Sequence, residues 1–227
     1  MENLKRAAAE RAVEEYVESG MTVGLGTGST AAFAVRRIGA LISGGSLTDV
    51  RCVPTSERTA SLAKEVGVPL VPLSEARPSL TIDGADEIAP DLTLIKGRGG
   101  ALLREKIVAY ASTNGLIVVA DGSKRVSSLG MGPLPVEVEP FGWRATLDAV
   151  ASLGCKPELR AGEVGRPYVT DGGHYVADCF FPSIPNPAAL EGEIKCVPGV
   201  LECGLFISLA RIAVVGSQDR TDVIRPG

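Results

Sequence analysis

Short apolar runs alternate with stretches of helical period through the first half of the chain. From Asn3 to Val17 the apolar residues Leu4, Ala8, Ala12, Val13 and Tyr16 or Val17 recur near a 3.6-residue period, which predicts a helix that Gly20 ends. Met21–Leu25 predicts a strand, and Ser29–Ile42 a helix that starts on hydroxyl residues able to cap it. The pattern then repeats: a strand over Val50–Pro54, a helix over Glu57–Val66, a strand over Leu80–Ile82, a strand over Leu92–Ile95, a helix over Leu102–Ala111 and a strand over Leu116–Ala120. Near-continuous apolar strands spaced by helices predict parallel βαβ units, with helices covering both faces of one sheet.

The rhythm changes after about residue 131. GPLPVEVEPFGW is rich in proline, and a helical stretch over Arg144–Leu153 leads to a strand near Lys156–Arg160. In Tyr168–Cys179 the turn residues Asp171, Gly172 and Gly173 separate two β-like runs, as in a hairpin. Pro187–Lys195 reads as a helix, and Ile212–Val215 as a strand able to return to the first sheet. The second half is therefore expected to be a smaller α+β domain.

Composition narrows the function. A chain of 227 residues, 45% of them hydrophobic, buries a substantial core, so disorder is not expected. A formal charge of −4 gives no basic field for nucleic acid, and no apolar run approaches the ~18 residues of a membrane span. The opening MENLKRAAAERAVEEYV mixes acids and bases where a signal peptide needs an apolar stretch, so a cytoplasmic protein is expected. With a single histidine, His174, chemistry built on several histidines is excluded. The five cysteines include no CxxC pair, so they lack zinc-ligand spacing and are expected to be reduced.

In an open parallel sheet, ligands bind beyond the carboxyl ends of the strands. The residues just after each apolar run are accordingly informative: Gly26–Thr30 (GTGST), Thr55 and Ser56, Asp83–Glu87 (DGADE), Lys96–Gly100 (KGRGG) and Asp121–Lys124 (DGSK). Five strand ends are expected to bring hydroxyls, carboxylates, lysines and glycines to one edge. GTGST satisfies the weak GxGxxA pattern, but Asp49 precedes the second strand and would face the wrong edge for a ribose. No lysine comes after the glycines, so it is not a P-loop. It is either an anion cradle at a helix N-terminus or a capped tight turn. Asp83 and Asp86 are either catalytic carboxylates, magnesium ligands lacking an obvious third partner, or a solvated loop; Glu87 is expected to be solvated. Lys96 is placed to neutralise an oxyanion, and Lys124 to contact phosphate. Arg98 reaches either ligand or solvent. Glu105, between Arg104 and Lys106, lies one to two turns beyond the glycines, aimed back at the strand ends.

GLGTGSTA, TIDGADEI, LIKGRGGALLREK, VADGSK and PLPVEV, in this order and with CVPGVLECGLF near the end, resemble the ribose-5-phosphate isomerase type A family. The resemblance spans the whole chain. It implies an α/β fold, a doubly wound, mostly parallel sheet domain (1–131 plus 206–227). A smaller ferredoxin-like α+β domain (132–205) would be inserted before the last strand. It further implies interconversion of ribose 5-phosphate and ribulose 5-phosphate without metal or organic cofactor, in a homo-oligomer, dimer or tetramer. By this resemblance Glu105 is the proton acceptor, Asp83 and Asp86 assist ring opening and proton transfer between oxygens, and Lys96 stabilises an enediolate. Thr27, Gly28, Ser29 and Thr30 form the substrate loop. Gly84, Ala85, Gly97, Arg98, Gly99 and Lys124 contact substrate, and Lys5 or Arg6 reaches the phosphate. Arg98 and Leu103 depart from the family's usual KGGGAALTREK, and Gly122 from its DASK. A substrate sensor of the same architecture, with no catalysis, is the reading from another class; such sensors add a DNA-binding domain, for which there is no room before Gly24.

Overall fold

The structure, a computed structural model, describes residues 1–218 and 220–226, with the backbone alone of Val164. In chain order the elements are α1 (Glu2–Tyr16), β1 (Thr22–Leu25), α2 (Ser29–Ser43), β2 (Arg51–Pro54), α3 (Glu57–Glu65), β3 (Leu80–Asp83), β4 (Glu87–Ile88) and β5 (Leu94–Ile95). Next come α4 (Leu102–Ala111), β6 (Leu116–Asp121), β7 (Leu134–Val138), α5 (Trp143–Ala151), β8 (Lys156–Leu159) and β9 (Tyr175–Phe180). The last are α6 (Pro187–Lys195), β10 (Val200–Cys203), β11 (Leu205–Phe206), β12 (Ala210–Gly216) and β13 (Thr221–Ile224).

Contacts divide the chain into two compact units. The first comprises Met1–Ala85, Arg104–Lys124 and Ser208–Gly227; the second comprises Asp86–Leu103 and Arg125–Ile207. This division differs from the expected boundaries, since 86–103, 125–131 and 206–207 group with the second unit. The reason is pairing: β5 joins β4 and β11 in a three-stranded antiparallel sheet, and β4 is bridged to Arg125. Asp219 and Gly227, within the expected segment 206–227, lie outside the described residues.

The first unit holds a six-stranded sheet in the order β13-β12-β6-β3-β1-β2, parallel except for β13. Two strands therefore come after the inserted segment rather than the single one expected. Val23, Leu25, Leu80, Ile82, Ile117, Val119 and Val214 line one face and pack with Ala8, Ala12 and Val13 of α1 and with Ala34, Val35 and Ile38 of α2. Their spacing of two along each strand places them on the same side of the pleat. The other face receives α4. Gly24 has no side chain because Thr81 and Val108 fill its place; a Cβ there would lie 2.0 Å from Thr81 Oγ1 and 2.8 Å from Val108 Cγ1. Thr81 and Ser112 hydroxyls, 2.7 Å apart, fix the end of α4. The doubly wound arrangement is thus present, with β1 and β3 flanking the point where strand order reverses.

The second unit contains a four-stranded antiparallel sheet ordered β10-β7-β9-β8. With α5 and α6 it has the βαββαβ sequence of the ferredoxin-like motif. Leu134, Val136, Val138, Ala177, Cys179, Leu147, Val150 and Ile194 form its core. Only the second arm of the expected hairpin is a strand; Val169 meets Tyr175 in an isolated bridge. Among the described residues no helix is long and apolar enough to cross a membrane.

Candidate active site

In the first unit the site is built on the switch point of the sheet. The chain leaves β1 through Gly26–Gly28 and leaves β3 at Asp83, so the two loops diverge from adjacent strands. Thr27 N–H donates to Asp83 Oδ1 at 3.1 Å, and Gly84 N–H donates to the same oxygen at 2.7 Å. Asp83 is 1% exposed. A carboxylate buried this far is held by charge-assisted bonds from backbone amides.

Behind the loop lies a hydroxyl cluster. The Thr27 hydroxyl is 2.8 Å from those of Thr55 and Ser56 and 3.2 Å from that of Thr59. Thr55 in turn donates to Leu25 O, and Thr59 to Gly26 O, both at 2.9 Å. Thr59 is the member that sequence reasoning missed; one turn after Ser56, which caps α3, it shares that residue's side of the helix. The network fixes the loop from β1 into α2. Gly28, at φ +125°, is the N-cap of α2 and supplies no side-chain cap. Ser29 and Thr30 occupy the first turn, where helix amides and dipole favour an anion.

Cations gather at the same end of the unit. Lys5 Nζ donates to Ser29 Oγ at 3.3 Å, whereas Arg6 stacks on the Phe33 ring at 5.1 Å. Between the two residues left open by the sequence, the structure brings Lys5 to the loop. Asp121, 3% exposed at the end of β6, accepts from the Ser123 N–H at 3.0 Å and from its hydroxyl at 2.5 Å. Burial pushes this carboxyl up, but the Ser123 bonds and the positive charges of Lys5 and Lys124 outweigh burial and hold it below the ordinary carboxylate range. Asp121 thus feels the charge of both lysines, while Ser123 fixes its carboxylate.

This depression makes stability depend on pH. With its folded pKa lowered, Asp121 contributes stability that is present above its unfolded value near ~3.9 and lost as pH falls through the folded value. Asp121→Asn is expected to lower stability at pH 7 by about 1–2 kcal/mol. It should also flatten the decline between about pH 5 and 3. Urea unfolding of both proteins across that range checks this; identical slopes would place the acid sensitivity in other carboxylates.

Glu105 lies in the first turn of α4 and is 3% exposed. Its neighbour Arg104 turns to Glu57 at 3.0 Å.

The second unit carries Asp86, Lys96, Gly97, Arg98 and Gly99. Lys96–Gly100, expected beyond a parallel strand, instead come after β5 of the three-stranded antiparallel sheet, so only four of the five expected strand ends belong to the parallel sheet. Lys96 is 3% exposed, with Nζ 5.3 Å from the centre of the Phe206 ring. Asp86 Oδ2 accepts the Arg98 N–H at 3.0 Å, and Arg98 Nε lies 4.0 Å from Asp86 Oδ1. Arg98 therefore points at carboxylates. Glu87, expected to be solvated, is 2% exposed and accepts from the N–H groups of Gly130 at 2.8 Å and Gly132 at 2.7 Å. Its position inside a two-residue strand of the small sheet explains the burial. His174 Nδ1 pairs with Glu137 Oε1 at 2.9 Å and belongs to a turn in this unit.

Among the described residues, Glu191, Glu202 and Cys203 bring ligand-type atoms within 4.8 Å of one another. The Lys195 ammonium is already bonded to Glu202 at 3.1 Å, a bond that raises its pKa. A cation thus stands where a metal would.

Comparison with known proteins places these features. The model of the family described as ribose 5-phosphate isomerase A (phosphoriboisomerase A) matches residues 51–220. A ribose-5-phosphate isomerase A from Gloeobacter violaceus is 53% identical over 98% of this chain and 96% of its own. Among solved structures, a ribose 5-phosphate isomerase from Plasmodium falciparum has a TM-score of 0.95 at 38% identity, covering 99% of both chains. A D-ribose-5-phosphate isomerase in complex with phospho-erythronic acid also scores 0.95, at 37% identity, covering 99% of this chain and 98% of that one. The likeness runs through both units and nearly the full length of each relative, so this chain belongs to the ribose 5-phosphate isomerase A family.

Proposed function

We propose that the chain interconverts ribose 5-phosphate and ribulose 5-phosphate by moving a proton between C1 and C2 through an enediolate, with Glu105 as the base. One observation carries the reading: Asp83, Lys96 and Glu105 are ionisable side chains each 3% exposed or less. Burying such groups is expensive. Glu87 and Asp121 are as deeply buried on the same motifs, where backbone amides and Ser123 bond them, and this concentration of buried charge supports a chemical use. A carboxylate removes the proton alpha to the carbonyl, and a buried ammonium stabilises the oxyanion that forms. In this assignment Asp83 and Asp86 handle the hydroxyl protons of ring opening and of the enediolate. Thr27, Gly28, Ser29 and Thr30, with Gly84, Ala85, Gly97, Arg98 and Gly99, surround the sugar. Lys5 and Lys124 take the phosphate at the N-terminus of α2. Phosphate binding remote from the reacting carbons supplies orientation. Phospho-erythronic acid, bound in the relative, has the matching chemistry: a carboxylate with two oxygens sharing charge at one end, and a phosphate at the other.

The test is ribose 5-phosphate isomerisation in excess EDTA. Turnover unaffected by chelation is expected; folded protein that binds the sugar phosphate without converting it would favour the sensor. Lys124→Ala is expected to raise KM roughly 10- to 100-fold, as the loss of a charge-assisted phosphate contact, with kcat changed far less. An unchanged KM would remove Lys124 from the phosphate site. The same proposal includes a cytoplasmic location, supported by cysteines that are all free thiols. It also includes a homo-oligomer, dimer or tetramer, which sedimentation would establish.

A further inference from the structure

We propose that Arg160, held by Asp178, is a positioning residue for Lys96. The inference rests on the reading of Lys96 as the oxyanion-stabilising cation, and every residue in it belongs to the second unit.

The loop after Lys96 contains Gly97, Gly99 and Gly100, and Gly97 and Gly100 have φ of +112° and +78°. Such a segment has many backbone states of similar energy, so its own sequence does not fix it. Arg160 does so from outside. Its Nη1 donates to Gly97 O at 3.0 Å and to Arg98 O at 3.2 Å. Its Nε and Nη2 donate to the two Asp178 oxygens at 2.9 and 2.5 Å, a fork-on-fork pair that orients the guanidinium plane. The opposite edge of the Gly97–Arg98 peptide is also held, because Arg98 N–H donates to Asp86 Oδ2 at 3.0 Å. In a trans peptide C=O and N–H point in opposite directions, so partners at both ends fix its plane. On the other side of Lys96, its own N–H donates to Gly204 O at 2.9 Å. The backbone of Lys96 is thereby secured in front and behind.

Tyr168 completes the clamp. Its N–H donates to Arg160 O at 2.8 Å, and its ring lies 5.8 Å from the guanidinium carbon. The phenol fills the space at Gly100, where a Cβ would meet Tyr168 Oη at 2.2 Å. Only arginine suits this position. A lysine concentrates its donors on one nitrogen and cannot serve a carboxylate and two carbonyls on different sides at once.

The test is a double-mutant cycle on isomerase activity, using Arg160→Lys, Lys96→Met and the combined variant. Arg160→Lys is expected to lower kcat by about 10- to 100-fold, the scale of a displaced catalytic group, with KM within about threefold. In the Lys96→Met background the same change should cost less than about twofold, because the group it positions is gone. Wild-type kcat in Lys96→Met would overturn the reading of Lys96 itself. Impaired Lys96→Met beside an unimpaired Arg160→Lys would overturn the present inference alone, as would losses that multiply in the combined variant. Should Arg160→Lys fail to fold, Arg160→Leu with Asp178→Leu leaves no unpaired charge and carries the same readout.

Discussion

Replacing Glu105 with glutamine is expected to lower kcat by roughly 10²- to 10⁴-fold, the span of a lost general base, while the protein folds as before. The placement of α4 gives the reason. Val108 packs into the place left by Gly24, and Ser112 meets Thr81, so one side of the helix faces the sheet. Glu105 precedes Val108 by three residues and shares that side. The N–H groups of Thr113 and Asn114, just beyond the helix, donate to Pro78 O and Ser79 O before β3. The helix is thus antiparallel to the strands, and going back from Ser112 to Val108 to Glu105 advances toward their carboxyl ends, at about 1.5 Å per residue. The carboxylate therefore arrives near the level of the carboxyl ends of β1 and β3, where Gly26 and Asp83 lie. Glutamine preserves shape and one carbonyl acceptor but accepts no proton at neutral pH. Steady-state kinetics with a thermal melt on the same sample separate chemistry from folding. A variant that turns over at the wild-type rate would take Glu105 out of the mechanism.

Gly26→Ala is expected to damage stability and activity together. A Cβ at residue 26 would lie 2.1 Å from Asp83 Oδ1 and 2.5 Å from Asp83 Cβ. Asp83 is clamped through that same oxygen by the amides of Thr27 and Gly84, so it cannot move without releasing them. Overpacking together with disrupted amide bonds to a buried carboxylate is expected to cost about 2–4 kcal/mol. For a chain of this size that corresponds to a Tm lowered by about 5–15 °C. Gly84→Ala is the matched control, since the nearest atom to its Cβ would be 3.8 Å away. Its Tm should stay within about 3 °C of wild type. Equal melting temperatures for Gly26→Ala and wild type would show that Asp83 yields freely.

Much of the first unit was legible because its strands are buried on both faces and its helices carry a clear apolar stripe. The helix over Leu102–Ala111 occurs as the pattern predicts, and so, in the second unit, does the helix over Pro187–Lys195. Hydrophobic patterning identifies a strand but not its partner, and β5 shows the difference. Leu92–Ile95 reads as one more parallel strand. Leu92 instead adopts φ +62°, Thr93 is tied to Asp91, and the two remaining residues pair antiparallel with Phe206 and Leu205. PLPVEV concealed a central strand because proline argues against one. Pro135 is accommodated since its carbonyl side faces Gly204, one residue beyond the last β10 pair, Cys203 with Val136. The missing N–H thus falls where that ladder has ended. Among the candidate site residues, those carried by motifs could be named from the sequence. Thr59 and Arg160 could not, because each bonds backbone that is distant in sequence, Gly26 in one case and Gly97 in the other.

The arrangement of α1 has a consequence for synthesis. This helix, synthesised well before β12 and β13, packs on both of them, and Leu4 O sits so close to Gly216 that a Cβ there would be 2.3 Å away. Strand β12 also fills the edge of β6, pairing along Ala210–Gly216. Until residues near the C-terminus emerge, α1 lacks part of its apolar seat and β6 keeps one open edge, a surface prone to mispairing. The four-stranded sheet of the second unit, by contrast, has all its strands on the nascent chain by Cys203. The segment containing it can fold while the larger sheet still waits for its last strands, and a chain truncated before Ala210 should be captured by chaperones rather than released as a smaller isomerase.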